Sequence, residues 1–318
     1  MSDTNTDTTA PFDRRAVRAH RDRAATRFTE SDFLFLETAL RLEERLRDIR
    51  REFIHVLDLG CHLGGLGTRL ARHRAGSHVV QCDLSPVMAG LARAASGSAV
   101  CATVCADEEA LPFAEDTFDL VVSNLSLHWV NDLPGTLVQV KKILKPGGLF
   151  LACLLGGTTL HELRGAFMNA ELAIEGGASP RVSPFADVRD SGDLLTRAGF
   201  ALPVADLDTI RVSFAGALEL MRDLKGMGES NAVAERRKTL SRRQTLMEVS
   251  RLYPTHSGND GRTSRIDATF DVIWLAGWTP GPDQPQPLAP GSATTRLADA
   301  LKTDERPAGE TPGGQKPR

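Results

Sequence analysis

The sequence has few cysteines, an almost balanced charge, no apolar run of membrane length and no G-x-G-x-x-G. Five cysteines in 318 residues, Cys61, Cys82, Cys101, Cys105 and Cys153, cannot all pair with one another. They lie in or beside apolar stretches, which argues against a disulfide framework and for a reducing compartment. Cys101 and Cys105 have no second pair at a spacing that would complete four ligands, so both are expected as buried small hydrophobes and no metal site is expected. A net charge of -3 gives no whole-chain attraction to nucleic acid or to an anionic membrane. No segment is long and apolar enough for a membrane span. The opening "MSDTNTDTTAP" has neither the apolar core of a secretory signal nor the arginines of a transit peptide, so the expected address is the cytoplasm.

What is present is an ordinary globular composition, 41% hydrophobic and 25% charged, enough for a sizeable core. Residues 1–11 are expected to be disordered. Residues 12–47 form a helical cap in two parts. "FDRRAVRAHRDRAATRF" sets Val17, Ala24, Ala25 and Phe28 on one face and Arg14, Arg18 and Arg21 on another, a basic amphipathic helix. That face is either solvated or a cap or partner surface over a site. The next helix, about Ser31 to Arg51, is expected to turn Phe33, Leu36, Leu40 and Leu46 to the core with Ser31 as its N-cap. Between residues 48 and 156 short apolar runs alternate with helical patterns, from "FIHVLDLG" to "GGLFLACLLGG". Such alternation predicts an α/β fold, a mostly parallel Rossmann-like sheet with helices on both faces. Residues 157–279 add helices, among them a second basic helix over "AERRKTLSRRQTLMEVSRL", and strands that complete the sheet under a C-terminal cover. Residues 280–318 hold eight of the 17 prolines and are expected to be extended or disordered.

In an open parallel sheet a ligand sits beyond the carboxyl ends of the strands, and the chemistry-bearing residues fall there. Asp58 closes the first strand, and Gly60 and Gly64 permit close backbone approach in "DLGCHLG". Asp83 ends the second strand, 19 residues after Gly64, where a carboxylate can accept both hydroxyls of a ribose. Asp107 and Glu108 follow the third strand, and "SNLSLHW" ends the fourth. An acid-led turn would repel phosphate and suits a ligand carrying an ammonium group. His62 stands where a further glycine would be expected; it tolerates a left-handed backbone and is read as a spacer or a ligand contact rather than a catalyst.

In this ordered succession the chain resembles the class I S-adenosylmethionine-dependent methyltransferases over about Val56 to Gly156. The resemblance implies S-adenosyl-L-methionine as cofactor, with the turn Asp58, Gly60, Cys61, His62, Gly64 against its methionine and ribose. It further implies Asp83 on the ribose, Asp107 and Glu108 at the adenine, and Leu84, Met88 and Asn124 alongside. More narrowly, "FDRRAVRAHRDRAA", "SNLSLHWVNDL", "GGTTLHELRGAF", "EGGASPRVSPFADVRD" and "FDVIWLAGW" resemble the complex I assembly factor 5 family. That resemblance runs from Phe12 to Trp278. The family is understood to hydroxylate an arginine of an iron–sulphur subunit of respiratory complex I, and is itself similar to the malonyl-carrier-protein methyltransferases of biotin synthesis. The expected enzyme therefore acts on a protein substrate, that subunit or an acyl carrier protein, or else serves as a cofactor-binding assembly chaperone. Candidate catalytic residues are His128, as a base, and Trp129; Glu162, Glu175, Asp187 and Asp190 could receive a guanidinium from the cover. No facial His/His/carboxylate set is evident from spacing.

Overall fold

A computed structural model describes residues 10–73, 76–257, 264–281 and 295–304. Two helices open the chain. Asp13 caps α1 (Arg14–Ala24) by accepting from the Ala16 amide at 3.1 Å, and α2 spans Phe33–Arg47. Then β1 (His55–Leu59), α3 (Gly65–His73), β2 (His78–Asp83), α4 (Pro86–Ser96), β3 (Ala102–Cys105) and β4 (Phe118–Asn124) alternate. They are followed by α5 (Leu133–Ile143), β5 (Leu144–Gly156), α6 (His161–Glu175), α7 (Val188–Arg197) and β6 (Ala201–Phe214). The series ends with α8 (Ala217–Gly226), α9 (Arg243–Leu252), β7 (His256–Ser257) and β8 (Ser264–Trp278). Local chemistry starts the crossover helices: Ser85 accepts from the Met88 amide at 3.0 Å ahead of Pro86, and Asp132 from the Gly135 amide at 2.8 Å.

The strands form one sheet in the order β3-β2-β1-β4-β5-β8-β6, with β7 on β8. β1 to β5 run parallel and β8 is antiparallel to both β5 and β6. The chain leaves β1 toward β2 and β3 and returns to place β4 on the other side, so the strand order reverses between β1 and β4, where a crevice opens. Successive side chains serve opposite faces. Val56 joins the core against α2, α3, α6 and α8, while Leu57 and Leu59 join the core against α5 and α7. The α/β architecture expected from the sequence is observed, with N-terminal helices and a C-terminal cover.

Several local expectations differ. In α2 the buried stripe is Leu34, Phe35, Thr38, Ala39, Leu42 and Leu46, while Leu36 and Leu40 are exposed. Four successive apolar residues, Phe33 to Leu36, permit either stripe, and packing chose. Ser31 is not its cap; Asp32 holds that position and the Ser31 hydroxyl donates to Asp223. The second basic helix is shorter than expected, starting only at Arg243, because Arg236 and Arg237 turn away to pair with Asp13 and Glu175. Cys101 and Cys105 are exposed, since β3 is an edge strand with one neighbour; Cys61, Cys82 and Cys153 are buried, and all five thiols are free. Residues 283–318 form a separate unit, in which the helix formers Leu297–Leu301 make a short helix, α10, within a tail expected to be extended or disordered. Residues 282–294 and 305–318 of that tail, and residues 1–9, lie outside the described residues.

Candidate functional site at the strand ends

The turn after β1 is built for close approach. Gly60 and Gly64 have φ +70° and +75°, a Cβ on Gly60 would overlap the Ser126 side chain, and the Gly60 and Cys61 amides donate to the Cys82 carbonyl at 2.8 and 2.9 Å. His62 does adopt the left-handed backbone, with φ +49°. Its ring stacks on Phe28 at 5.6 Å and meets Phe35 edge-on at 4.7 Å, and neither ring nitrogen has a hydrogen-bond partner among the described residues. Burial, with the Arg21 charge, depresses its pKa to about 4, so the ring is neutral. Asp58 accepts from the Gly67 amide at 2.8 Å through Oδ2, while its buried Oδ1 has no hydrogen-bond partner among the described residues. Burial raises its pKa to about 7, against the Gly67 hydrogen bond. Asp58, His62 and Asn124 share the wall of a cavity of about 420 Å³ between α2 and this turn, lined otherwise mainly by apolar groups such as Phe35, Leu36 and Leu66. Asn124 is held by donating to the Phe35 carbonyl at 2.9 Å and accepting from Thr38 at 2.7 Å.

The carboxylates after β2 and β3 converge, and α1 meets them. Asp83 accepts from the His62 amide at 3.0 Å and the Ser85 amide at 2.8 Å. Arg21, 1% exposed, donates to Glu108 at 2.9 Å and to Ser126 at 2.8 Å, and lies 3.4 Å from both Asp83 oxygens. Arg14 reaches Asp107 and Glu108 and donates to the Trp129 carbonyl at 3.2 Å. Burial works to raise the pKa of Glu108, but the Arg21 and Arg14 charges prevail and hold it well below the usual carboxylate range. Of the two readings expected for the arginine face of α1, Arg14 and Arg21 follow the cap, laid over the strand ends, and not the solvated face. Arg18 alone of the three is exposed. Leu84 packs against the small cluster of Phe12, Val17 and Trp129, and the Met88 side chain is fully buried in the core rather than at either cavity described here.

Beyond β4 a 3-10 turn, Leu127–Trp129, buries His128 and Trp129. Both rings meet one carboxylate oxygen: Glu229 Oε2 lies 2.9 Å from His128 Nε2 and accepts from Trp129 Nε1 at 2.8 Å. Burial tends to raise the Glu229 pKa, but His128 beside it lowers it overall, so this carboxylate is ionised out of water. Glu229 and Trp129 border a second cavity, about 310 Å³, walled by Leu160, Leu163, Phe167, Phe185 and Leu224 beneath α6 and the loop after it. The arginines at that cavity, Arg181, Arg236 and Arg237, are neutralised by Glu171, Asp13 and Glu175, and Lys225 is exposed. The four acids expected from the cover do not line it. Glu162 bonds Thr269, Glu175 bonds Arg237 and Thr245, Asp187 caps α7 and Asp190 is exposed. Glu229 was missed because it lies 101 residues from His128, after a helix stop with no motif around it.

Among the described residues no helix is long and apolar enough to cross a membrane, and no cluster of three or more His, Cys, Asp or Glu has metal-holding geometry. The sequence pattern of the family described as "Methyltransferase domain" matches residues 57–152. The chain is 41% identical over 294 residues to "Arginine-hydroxylase NDUFAF5, mitochondrial" of Danio rerio, covering 92% of this chain and 89% of that one. It is 38% identical over 272 residues to "Malonyl-[acyl-carrier protein] O-methyltransferase" of Halorhodospira halophila, covering 85% and 89%. The solved structure of a "putative methyltransferase" from Bacillus halodurans shares the fold, with TM-score 0.52 and 17% identity over 76% of this chain and 98% of that one.

Proposed function

The chain belongs to the methyltransferase-fold family of the arginine hydroxylase NDUFAF5, and from that premise we propose that it binds S-adenosylmethionine at the strand ends and modifies an arginine of a protein partner. The proposed partner is an iron–sulphur subunit of respiratory complex I during assembly. One observation carries the acceptor half of this reading. Glu229 is a buried, ionised carboxylate on the wall of a cavity with an apolar side and three arginines already paired to other acids, and its Oε2 is engaged by His128 and Trp129. A guanidinium with an aliphatic stem is the side chain that such a cavity complements, and a charge-assisted hydrogen bond formed away from water is worth more than one at the surface.

Support for the cofactor half is uneven along the site. The unpartnered Asp58 oxygen on the 420 Å³ cavity suits an ammonium group, and the glycine turn leaves its backbone open to a ligand. Asp83, Asp107 and Glu108 suit ribose and adenine by chemistry, but the α1 arginines already hold them. S-adenosylmethionine, when bound, would supply a sulfonium-activated methyl group for a methyl transfer; adding an oxygen to an arginine instead takes dioxygen and two electrons from an external reductant, with water as the second product. The chain's own residues hold the two ends of the site: Asp58 as acceptor for a cation, His62 as a packed neutral ring, and Glu229 orienting His128 and the acceptor. His128 and Trp129 are thus positioning groups in this reading, with the buried His128 Nδ1 without a hydrogen-bond partner among the described residues. The cytoplasm is our proposal for its location; the Danio rerio relative carries the word mitochondrial in its name.

Co-expression of a respiratory iron–sulphur subunit with and without this chain, followed by intact-mass and peptide mass spectrometry, tests the reading. One added oxygen on an arginine supports it. Methylation of malonyl-carrier protein, with an unmodified subunit, would replace it with the carrier-protein activity named for the Halorhodospira halophila relative. Tight subunit binding without any mass change would leave an assembly chaperone.

A further inference from the structure

The adenosine end of the proposed cofactor site is filled by the protein's own first helix. Arg21 and Arg14 put two guanidiniums on Asp83, Asp107, Glu108 and Ser126. Ribose hydroxyls and the adenine amine need the same lone pairs and the same volume. Arg21 has 1% of its surface exposed and is boxed in by these partners, so it cannot make room by a small side-chain swing. Withdrawal of the arginines without a substitute would leave three carboxylates crowded together, two of them buried, which is strongly unfavourable. S-adenosylmethionine is a cation that also offers hydroxyl and amine donors. The hydroxyls and amine of its neutral adenosine end can replace the guanidiniums as hydrogen-bond partners, while its sulfonium offsets part of the lost countercharge.

We propose that α1 is a displaceable latch, whose two arginines close the adenosine subsite in the free protein and are expelled when S-adenosylmethionine binds. The latch rests on the cofactor reading above and adds a coupling to it. The N-terminal end of α1 is fastened to the segment that follows Glu229: the Asp13 amide donates to the Ala232 carbonyl at 2.8 Å, the Ala234 amide to the Pro11 carbonyl at 2.8 Å, and Arg236 pairs with Asp13 at 3.0 Å. His20 Nδ1 lies 3.0 Å from the Ser230 carbonyl, one residue from the carboxylate that closes on His128 and Trp129. Withdrawal of α1 loosens that wall of the acceptor cavity. Cofactor binds first and the protein substrate second.

A closed latch lowers apparent affinity by the fraction of molecules that are open, so loosening it tightens binding. The full-length wild-type chain, Arg14→Ala and Arg21→Ala are titrated with S-adenosylmethionine in a calorimeter. Amide hydrogen exchange over residues 14–24 and 229–236 is followed in the wild type with and without it. The expected results are faster exchange of both segments on binding, and tightening by about tenfold in either variant. If Arg21→Ala fails to fold, Arg14→Ala and the wild-type exchange decide. Slower exchange of α1 on binding, or weaker binding by the folded variants, overturns the latch and makes the arginines ligand contacts. Failure of every protein to bind S-adenosylmethionine overturns the cofactor reading, and the latch with it.

Discussion

Asp58→Asn separates the ionisation of Asp58 from everything else the residue does. Burial lifts the Asp58 pKa from its ordinary 3.8 to about 7, partly opposed by the Gly67 amide and reinforced by the Asp83 charge. The folded protein therefore holds a proton that the unfolded chain gives up across this interval, and folding stability falls as pH rises from about 4 to about 7. At about 1.4 kcal/mol per pH unit the contribution is about 4–5 kcal/mol, lost by pH 8 and fully present below pH 4. Asparagine keeps an oxygen for the Gly67 amide and cannot ionise. Urea unfolding of wild type and Asp58→Asn at half-unit pH steps gives the difference directly. The variant should gain on the wild type steadily from pH 4 to 7 and then level off. A difference that stays flat across that range, or runs the other way, would refute the buried, unpartnered state of Oδ1. Because a cation at Oδ1 would stabilise the ionised form, S-adenosylmethionine should raise the wild-type midpoint more at pH 8 than at pH 5, and should lose that pH dependence in the variant.

Other expectations follow from the same geometry. Glu43, buried in α2, is pulled to a pKa of about 2 by bonds to His73, Arg69 and Arg47 that outweigh its burial. Its contribution is present above about pH 4.5 and lost as pH falls toward 2, so Glu43→Gln should cost about 1–2 kcal/mol at pH 7 and almost nothing at pH 2, the partly exposed partners limiting the effect. His62→Gly removes a ring packed between Phe28 and Phe35, and should destabilise by about 2–3 kcal/mol in thermal unfolding; an unchanged midpoint would reduce His62 to a spacer. Gly60→Ala should lose both stability and cofactor affinity in calorimetry, whereas Gly90→Ala in α4, whose Cβ meets nothing within 4 Å, should change neither by more than about 1 kcal/mol. Glu229→Gln should abolish modification of the subunit while S-adenosylmethionine still binds; retained modification would remove Glu229 from the acceptor site.

What the sequence by itself determined are the features written in local chemistry. Alternating apolar runs and capped helices dictate a parallel α/β sheet, because buried strands and amphipathic helices each need the other's face. Asp58, the glycine turn and Asp83 were legible because strand ends and turn residues sit at regular spacings along the chain. Even the left-handed backbone at His62 could be anticipated, since it belongs to one residue. Tertiary structure decided everything that depends on which distant groups meet. Arg14 and Arg21 have the spacing of a solvated helix face, and only the docking of α1 over the strand ends turned them onto Asp107, Glu108 and Asp83. Leu36 and Leu40 form as good an apolar stripe as the one that is buried. Glu229 has no motif, yet the cover brings it to His128 across 101 residues, while the four acids with plausible placement are spent on Thr269, Arg237, a helix cap and solvent. A charge in a sequence carries no sign of its partner; the partner is fixed by packing, and packing is a property of the whole fold.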